Sequence, residues 1–144
     1  MRKAYFDASA IVKLGHLEPE SQALIDYLCD GQCWAGTSVV ADVEVRQTLH
    51  RLRASGADPD DHVRGFFLLE LTRDIRDGAV ELGGQLRSLD AIHLASARSL
   101  DDDLDFVTYD DRLAWAARAA GLRVVQPGRT GSERGHGDSS VSSS

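Results

Sequence analysis

The chain has 144 residues, of which 42% are hydrophobic and 27% are charged, a balance typical of one soluble globular domain. No apolar run approaches the ~20 residues that a membrane-spanning helix needs, and an acid at position 7 comes too early for the apolar segment of a signal peptide. The formal net charge of -7 argues against binding nucleic acid through a generally cationic surface. We therefore expect a cytoplasmic protein, in which any chemistry on nucleic acid would need metal ions or a local basic rim.

In the first half of the chain, apolar strands alternate with amphipathic helices. The predicted elements are, in order, a strand at 2–6, a turn that enters a helix over 7–14, a second helix, a strand at 33–37 and a helix that follows Ser38 and includes Leu52. Pro19 suits a first helical turn, and Gly31 is expected to end the same helix. Ser38 is the predicted N-cap of the helix that follows it.

The second half is predicted to continue this alternation. Its elements are a break at 57–60, a mostly helical region that ends near 70, a connector or short strand at 71–73, a helix at 74–86, a helix that follows Ser88 and runs to about 100, a strand at 104–108, a helix at 109–120 and a strand at 122–125. Ser88 is the expected N-cap of the helix that carries Asp90 in its first turn. Strands that alternate with helices predict an α/β fold with a mainly parallel sheet that is covered on both faces.

The composition of the chain changes at Pro127. From there to the end, glycine, serine and charged residues replace apolar ones, so this segment cannot offset its ordering entropy by burial. We expect residues 1–126 to form one domain and residues 127–144 to form a disordered tail.

Four acids fall where predicted strands end or helices begin. Asp7 ends the first strand, and Asp110 follows the strand at 104–108. Glu44 and Asp90 lie early on helices that flank the same edge of the sheet, which is where open α/β sheets bind ligands. Grouped carboxylates repel one another and destabilise a fold unless a cation lies among them. Oxygen ligands favour Mg²⁺ or Mn²⁺, and these ions promote phosphodiester hydrolysis.

Three of these acids also have structural explanations. Asp7 suits the cap of the following helix, Asp90 is typical of first-turn acids, and Glu44 fits a solvated helix position. A different reaction is also open to Asp7, because phosphatases of the haloacid-dehalogenase type use an aspartate at a strand end as a nucleophile. Those enzymes usually have a second acid two residues on, where this chain has Ser9.

Roles can also be predicted for Asp111 and His93, which lie close to the acids in the sequence. Thr108 and Asp111 match a capping-box-like pattern, so we assign Asp111 to the helix start and leave Asp110 for the metal. His93 lies three residues after Asp90 and could touch the same site. A helical histidine among leucine and alanine is more often a packed, hydrogen-bonded core residue, and we predict that role.

Four segments around the acids share a family pattern. They are YFDASAIVKL at 5–14, SVVADVE at 38–44, LDAIHLA at 89–95 and FVTYDDRL at 106–113. Together they resemble the PIN-domain ribonucleases, and most closely the VapC toxins of prokaryotic type II toxin–antitoxin systems. The resemblance covers about residues 1–126, with all four motifs in the family's order.

The resemblance implies a PIN-like three-layer α/β/α sandwich and an endonuclease that uses Mg²⁺ or Mn²⁺ to cleave cellular RNA (tRNA, rRNA or mRNA). Such cleavage leaves 5′-phosphate and 3′-hydroxyl ends and inhibits translation and growth. The implied partners are an RNA substrate, a cognate VapB-type antitoxin that inhibits the enzyme, and a second copy of the chain in a homodimer. Operator DNA would be contacted only through the antitoxin, and no membrane partner is expected.

The family's functional positions transfer residue by residue. The four acidic positions, which are both catalytic and metal-binding in the family, fall on Asp7, Glu44, Asp90 and Asp110. The small hydroxyl residues that help to hold the acids and the metal-bound water fall on Ser9 and Thr108.

Arg87 and Arg112 lie beside the acid motifs. Each is a candidate phosphate contact, because a guanidinium matches a phosphate bidentately, or else a solvated surface arginine. Two other functions stay open for a chain of this kind. One is a PIN-type RNA-processing nuclease without a toxin role, and the other is a non-catalytic PIN scaffold that binds RNA or an antitoxin.

Overall fold

The computed structural model describes residues 1–30, 32–52, 62–84, 86–101 and 103–129. The elements are, in order, β1 (Arg2–Phe6), α1 (Ala8–Gly15), α2 (Ser21–Cys29), β2 (Cys33–Ser38), α3 (Val39–Leu52), β3 (Phe67–Leu69), α4 (Arg73–Leu82), α5 (Ser88–Leu100), β4 (Asp105–Val107), α6 (Asp111–Ala119) and β5 (Arg123–Val125). Within these described ranges, five strands form one sheet in the order β3-β2-β1-β4-β5, and every neighbouring pair is parallel. The first strand of the chain is therefore the central strand of the sheet.

Helices cover both faces of the sheet, because successive side chains of a strand point to opposite sides. On one side, Tyr5 and Phe106 belong to a core that includes residues of α4, α5 and α6. On the other side, Ala4, Phe6 and Val107 belong to a core that includes residues of α1, α2 and α3. A parallel strand buried on both faces is apolar throughout, as the second half of β1 is. The architecture is a three-layer α/β/α sandwich, as the sequence predicted.

The pairing of β1 with β4 places their carboxyl ends side by side. Tyr5 lies opposite Phe106 in register, and the two rings stack with centroids 5.4 Å apart. The backbone N–H of Asp7 donates to the carbonyl of Val107 at 3.1 Å, so the pairing continues one residue beyond β1. Asp7 is thereby held at the edge of the sheet where ligands of α/β proteins bind.

The prediction of a mostly helical region ending near residue 70 is wrong. Its last part, Phe67–Leu69, is the edge strand β3, which pairs in parallel with β2 and places Phe67 opposite Gly36. The Phe67 ring also contacts the Trp34 ring, with centroids 5.4 Å apart. A short apolar run fits helix and strand patterns equally well, and only the contact with β2 decides between them.

Helix α4 begins and ends differently from the prediction. Residues 71–73 do not form a strand, because Thr72 is the N-cap of α4. The helix ends at Leu82 and does not reach Leu86. Gly83 is its C-cap, and Gly84 has a φ of 71°, in the left-handed region that glycine adopts at low cost.

Of the two predicted serine N-caps, one is confirmed and the other is wrong. The Ser38 hydroxyl accepts a hydrogen bond from the N–H of Val40 at 3.0 Å, so it caps α3 as predicted. The N-cap of α5 is Arg87, whose side chain makes no capping bond, and Ser88 is the first helical residue. The prediction of Ser88 as an N-cap is therefore wrong by one position.

The break predicted at 57–60 and most of the predicted tail lie outside the described residues. The first three tail residues, 127–129, are described and contact the domain. The Tyr109 hydroxyl donates to the Pro127 carbonyl at 2.7 Å, and the Arg129 guanidinium donates to the Tyr109 carbonyl at 2.9 Å. These contacts extend the packed chain beyond the predicted boundary. No helix in the described part of the chain is long and apolar enough to cross a membrane.

Thr72→Ala should lower the free energy of unfolding by about 1 kcal/mol, because the Thr72 hydroxyl accepts a hydrogen bond from the N–H of Ile75 at 3.2 Å and so caps α4. Ser88→Ala is the matched control, since Ser88 stands at the start of α5 without capping it. It should change the same free energy by less than about 0.5 kcal/mol. Urea denaturation measures both variants, and an equal loss in the two would contradict these cap assignments.

Candidate active site

The four predicted acids line one cavity of about 590 Å³ at the carboxyl edge of the sheet. They reach it from four places in the chain: the β1–α1 junction (Asp7), α3 (Glu44), the first turn of α5 (Asp90) and the β4–α6 junction (Asp110). A larger groove of about 830 Å³ lies between β3, α4 and α5, and none of the four acids lines it. The cavity with the acids, called the acid cavity below, is therefore the candidate active site.

Asp7 is buried at the base of the acid cavity, with 3% of its surface exposed. One carboxylate oxygen accepts hydrogen bonds from the N–H of Ala10 at 3.0 Å and the hydroxyl of Ser9 at 2.7 Å. The other accepts from the hydroxyl of Thr108 at 2.6 Å. Burial raises the pKa of Asp7, and the hydrogen bonds offset this only in part. Asp7 caps α1, as predicted, and at the same time lines the cavity.

Ser9 and Thr108 join the two strand ends of the site. Besides donating to Asp7, the Ser9 hydroxyl accepts from the N–H of Tyr109 at 2.9 Å. The Thr108 hydroxyl donates to the other oxygen of Asp7 and accepts from the N–H of Asp110 at 3.1 Å. Each hydroxyl therefore links the Asp7 carboxylate to the backbone that follows β4, which holds two segments distant in sequence at a set separation.

Asp111 is at the start of α6, as assigned, but the capping-box-like pattern of Thr108 and Asp111 is wrong, because the N-cap is Asp110. An oxygen of Asp110 accepts from the N–H of Leu113 at 3.1 Å, and its backbone is extended, as N-cap residues usually are. Asp111 is the exposed first residue of the helix, and its carboxylate pairs with Arg129. The helix begins at Asp111, two residues later than the predicted start at 109, so the N-cap is Asp110, the acid predicted for the metal.

Arg87 lies against two of the acids. Its Nε is 3.3 Å from Oδ2 of Asp90, and its Nη2 is 3.9 Å from Oδ2 of Asp110. The guanidinium thus spans a buried carboxylate and a half-buried one. Arg112, the other predicted phosphate contact, is exposed and is not among the residues that line the acid cavity.

Two further cations line the acid cavity, and neither was predicted from the sequence. Lys13 is four residues after Ser9 on α1, a spacing that places them on one helix face and could have identified it. Its ammonium pairs with Glu20 at 2.9 Å and lies 4.7 Å from the centroid of the Tyr109 ring. Arg129 was missed because it falls in the predicted tail.

Glu44 and His93 are in direct contact. Oε1 of Glu44 is 2.8 Å from Nε2 of His93, and Nδ1 of the same ring is 2.7 Å from the hydroxyl of Tyr5. His93 is 2% exposed, so the prediction of a packed, hydrogen-bonded core residue is confirmed. The ring also touches an acid of the cavity, which the sequence did not show.

The acid cavity is lined by atoms of the kind that bind hard cations. They are carboxylate oxygens, which Mg²⁺ and Mn²⁺ prefer, and the desolvated Asp7 carboxyl gains from a nearby positive charge. In the ranges that the structure describes, no three acid, histidine or cysteine side chains are grouped closely enough to hold one ion. Arg87 supplies a positive charge between two of the acids in this arrangement.

No protein-family model matches the chain, but individual proteins are similar to it in sequence. Ribonuclease VapC46 of Mycobacterium tuberculosis is 38% identical over 132 residues, which cover 88% of this chain and 99% of that protein. The chain belongs to the VapC family of ribonucleases. The resemblance found in the sequence motifs is thereby confirmed.

Solved structures from toxin–antitoxin systems share this fold. The crystal structure of M. tuberculosis VapC20, a toxin that cleaves the sarcin–ricin loop, has a TM-score of 0.68 and 18% identity, covering 86% of this chain and 99% of that one. A toxin–antitoxin complex from Klebsiella pneumoniae has a TM-score of 0.64 and 21% identity, covering 86% and 97%. At these identities the likeness establishes the fold, and the predicted sandwich with a parallel central sheet is confirmed.

Asp7→Asn should stabilise the metal-free protein at pH 7. Burial raises the folded-state pKa of Asp7, so the folded protein holds this proton more tightly than the unfolded chain. The stability that this proton contributes is therefore lost as the pH rises from the pKa of aspartate in the unfolded chain, about 3.9, through the pKa in the folded protein. This contribution is absent at neutral pH. The amide side chain of the variant keeps an oxygen that can accept a hydrogen bond, but it carries no negative charge to desolvate.

The measurement is the thermal midpoint of wild type and variant in EDTA between pH 4 and pH 8. The midpoint of Asp7→Asn should exceed that of wild type at pH 7, and the difference should shrink toward pH 4. Asp26→Asn, an exposed change on α2, is the control and should follow wild type. A lower midpoint for Asp7→Asn at pH 7 would show that its hydrogen bonds outweigh its desolvation.

Proposed function

We propose that the protein is a Mg²⁺- or Mn²⁺-dependent endoribonuclease and the toxin of a type II toxin–antitoxin system. The observation that carries the proposal is the arrangement of four acids, from four places in the chain, around one cavity. The chain is also 38% identical to a protein named as a ribonuclease. Phosphodiester hydrolysis needs an activated water and compensation of phosphate charge, and an acid cluster that binds a metal ion provides both.

The proposed direct ligands of the ion are Asp7, Asp90 and Asp110, with Glu44 acting directly or through water. When bound, the ion makes a coordinated water more acidic and neutralises phosphate charge. We expect Asp90 and Asp110 to turn away from Arg87 to reach a shared ion. The proposed products carry 5′-phosphate and 3′-hydroxyl ends.

The remaining side chains of the cavity prepare this chemistry. Ser9 and Thr108 bond both oxygens of Asp7, which restricts the rotation of its carboxylate. Arg87 keeps positive charge beside the acids before an ion binds, and its fork of donors is then available for a phosphate. With Lys13 and Arg129 it gives the cavity a local basic rim, which a chain of net charge -7 needs for holding RNA.

The proposed partners follow from the family. Structurally similar chains come from a toxin–antitoxin complex and from VapBC2 of Rickettsia felis, which supports a VapB-type antitoxin as the inhibitor of this chain. We further propose that the chain forms a homodimer and contacts operator DNA only through the antitoxin. Cleavage of cellular RNA would then inhibit translation whenever the antitoxin is absent.

Asp90→Asn should lower the rate of RNA cleavage by more than about 100-fold, because even the groups that support a metal ligand are commonly worth 10- to 100-fold. The assay incubates purified protein with total RNA in Mg²⁺, Mn²⁺ or EDTA and maps the new 5′ ends. Asp110→Asn should cause a similar loss, while Asp111→Asn, a change at an exposed helix position, should cleave nearly as wild type does. Cleavage in EDTA, or full activity of Asp90→Asn, would overturn the metal-dependent mechanism.

Expression of the wild-type chain in a bacterial host should arrest growth, and Asp90→Asn should not. Co-expression of the small reading frame beside this gene should restore growth, and the two products should co-purify. Growth that continues despite active RNA cleavage in vitro would favour an RNA-processing nuclease. Growth arrest that persists in Asp90→Asn would favour a non-catalytic scaffold.

A further inference from the structure

Three side chains form a continuous hydrogen-bonded row that ends at the acid cavity. Tyr5 is in β1, His93 in α5 and Glu44 in α3. The row runs from the Tyr5 hydroxyl to Nδ1 of His93 at 2.7 Å, and from Nε2 of His93 to Oε1 of Glu44 at 2.8 Å. Helices α3 and α5 contribute to the cores on opposite faces of the sheet, so this row connects the two outer layers at its carboxyl edge.

The donor and acceptor types assign the protons along the row. An ionised carboxylate only accepts, so Nε2–H of His93 donates to Glu44. In a neutral imidazole the other nitrogen is then the acceptor, and the Tyr5 hydroxyl donates to it. The Tyr5 hydroxyl is buried and lies 2.7 Å from Nδ1, within hydrogen-bonding distance. In both hydrogen bonds the acceptor is the group nearer the acid cavity: Tyr5 donates to His93, and His93 donates to Glu44.

Glu44 depends on this one contact more than Asp7 and Asp110 depend on any single partner. Asp7 accepts from three donors, and Asp110 is held by a capping bond as well as lying near Arg87. The Glu44 side chain is 28% exposed, and its one hydrogen bond in the described structure is the bond from His93. A glutamate has three rotatable side-chain bonds, so holding it in one orientation costs more entropy than holding an aspartate.

We propose that Tyr5 and His93 are positioning residues. They hold the Glu44 carboxylate toward the acid cavity and so raise the affinity of the cavity for a divalent cation. The inference rests on the proposed function of that cavity. His93 fixes one oxygen of Glu44 and leaves the second oxygen for the ion or its water. Tyr5 fixes the His93 tautomer that can donate to a carboxylate. Partners of this kind commonly change metal affinity by about 10- to 100-fold.

The test measures binding of Mn²⁺ alone to the metal-free protein by calorimetry and by the loss of the free Mn²⁺ paramagnetic resonance signal. His93→Leu should weaken binding by about 10- to 100-fold. His93→Gln, whose amide N–H can replace Nε2–H, should recover most of the lost affinity. Tyr5→Phe, which keeps the ring that stacks on Phe106, should weaken binding by a smaller factor.

Tyr27→Phe is the matched control for Tyr5→Phe. It also removes a hydroxyl that is hydrogen bonded inside the fold, because Tyr27 donates to Asp105, but this bond lies at the amino end of β4. It should lower stability without changing Mn²⁺ affinity. Nitrogen NMR of histidine-labelled wild type should show the Nε2–H tautomer of His93, with Nδ1 as an acceptor, and Tyr5→Phe should shift the Nδ1 signal.

The outcomes separate this inference from the proposed function. If wild type binds Mn²⁺ and cleaves RNA but folded His93→Leu binds Mn²⁺ equally well, the positioning role is overturned and the proposed function stands. If His93→Leu does not fold, unchanged affinity in Tyr5→Phe together with an Nδ1–H tautomer in wild type overturns it. If wild type neither binds Mn²⁺ nor cleaves RNA, the proposed function fails and the inference fails with it.

Discussion

The buried carboxyl of Asp7 is the constraint around which the site is arranged. It follows the central strand of the sheet and accepts hydrogen bonds from α1, from Ser9 and from Thr108. These bonds tie the end of β1 to the segment after β4, and so bring Asp110 to the same cavity. A desolvated carboxyl at the base of a cavity that three other acids line is costly without a cation. That cost is the physical reason to infer a metal ion there.

Helix capping and a role in the site are not alternatives for these acids. Asp7 and Asp110 each use an oxygen to cap the helix that follows, and both line the acid cavity. Asp90 lies in the first turn of α5. A helix N-terminus carries partial positive charge that favours an ionised carboxylate. The fold therefore uses three helix starts to hold negative charge at one edge of the sheet, where the proposed function needs it.

Much of the fold could be predicted because it depends on local patterns. The strand at 2–6 and the helix after it follow from an apolar run and the turn at Asp7, and the alternation of strands and helices predicts a parallel sheet. The strand at Phe67–Leu69 was missed because three apolar residues carry no clear period, and its pairing with β2 is a long-range contact. The cap at Asp110 was missed because aspartate suits an N-cap at either of two adjacent positions, Asp110 and Asp111, and only Asp111 has the capping-box spacing from Thr108.

The sequence by itself determined the α/β sandwich, the order of the elements apart from β3, and the gathering of four acids at one edge, since parallel strands bring their carboxyl ends together. Only the tertiary structure decided the partners of each acid. Arg87 between Asp90 and Asp110, and His93 between Tyr5 and Glu44, could not be read from spacing alone. Three of these four contacts join side chains far apart in the chain, and their distances are set by how helices pack on the sheet, which no local pattern encodes.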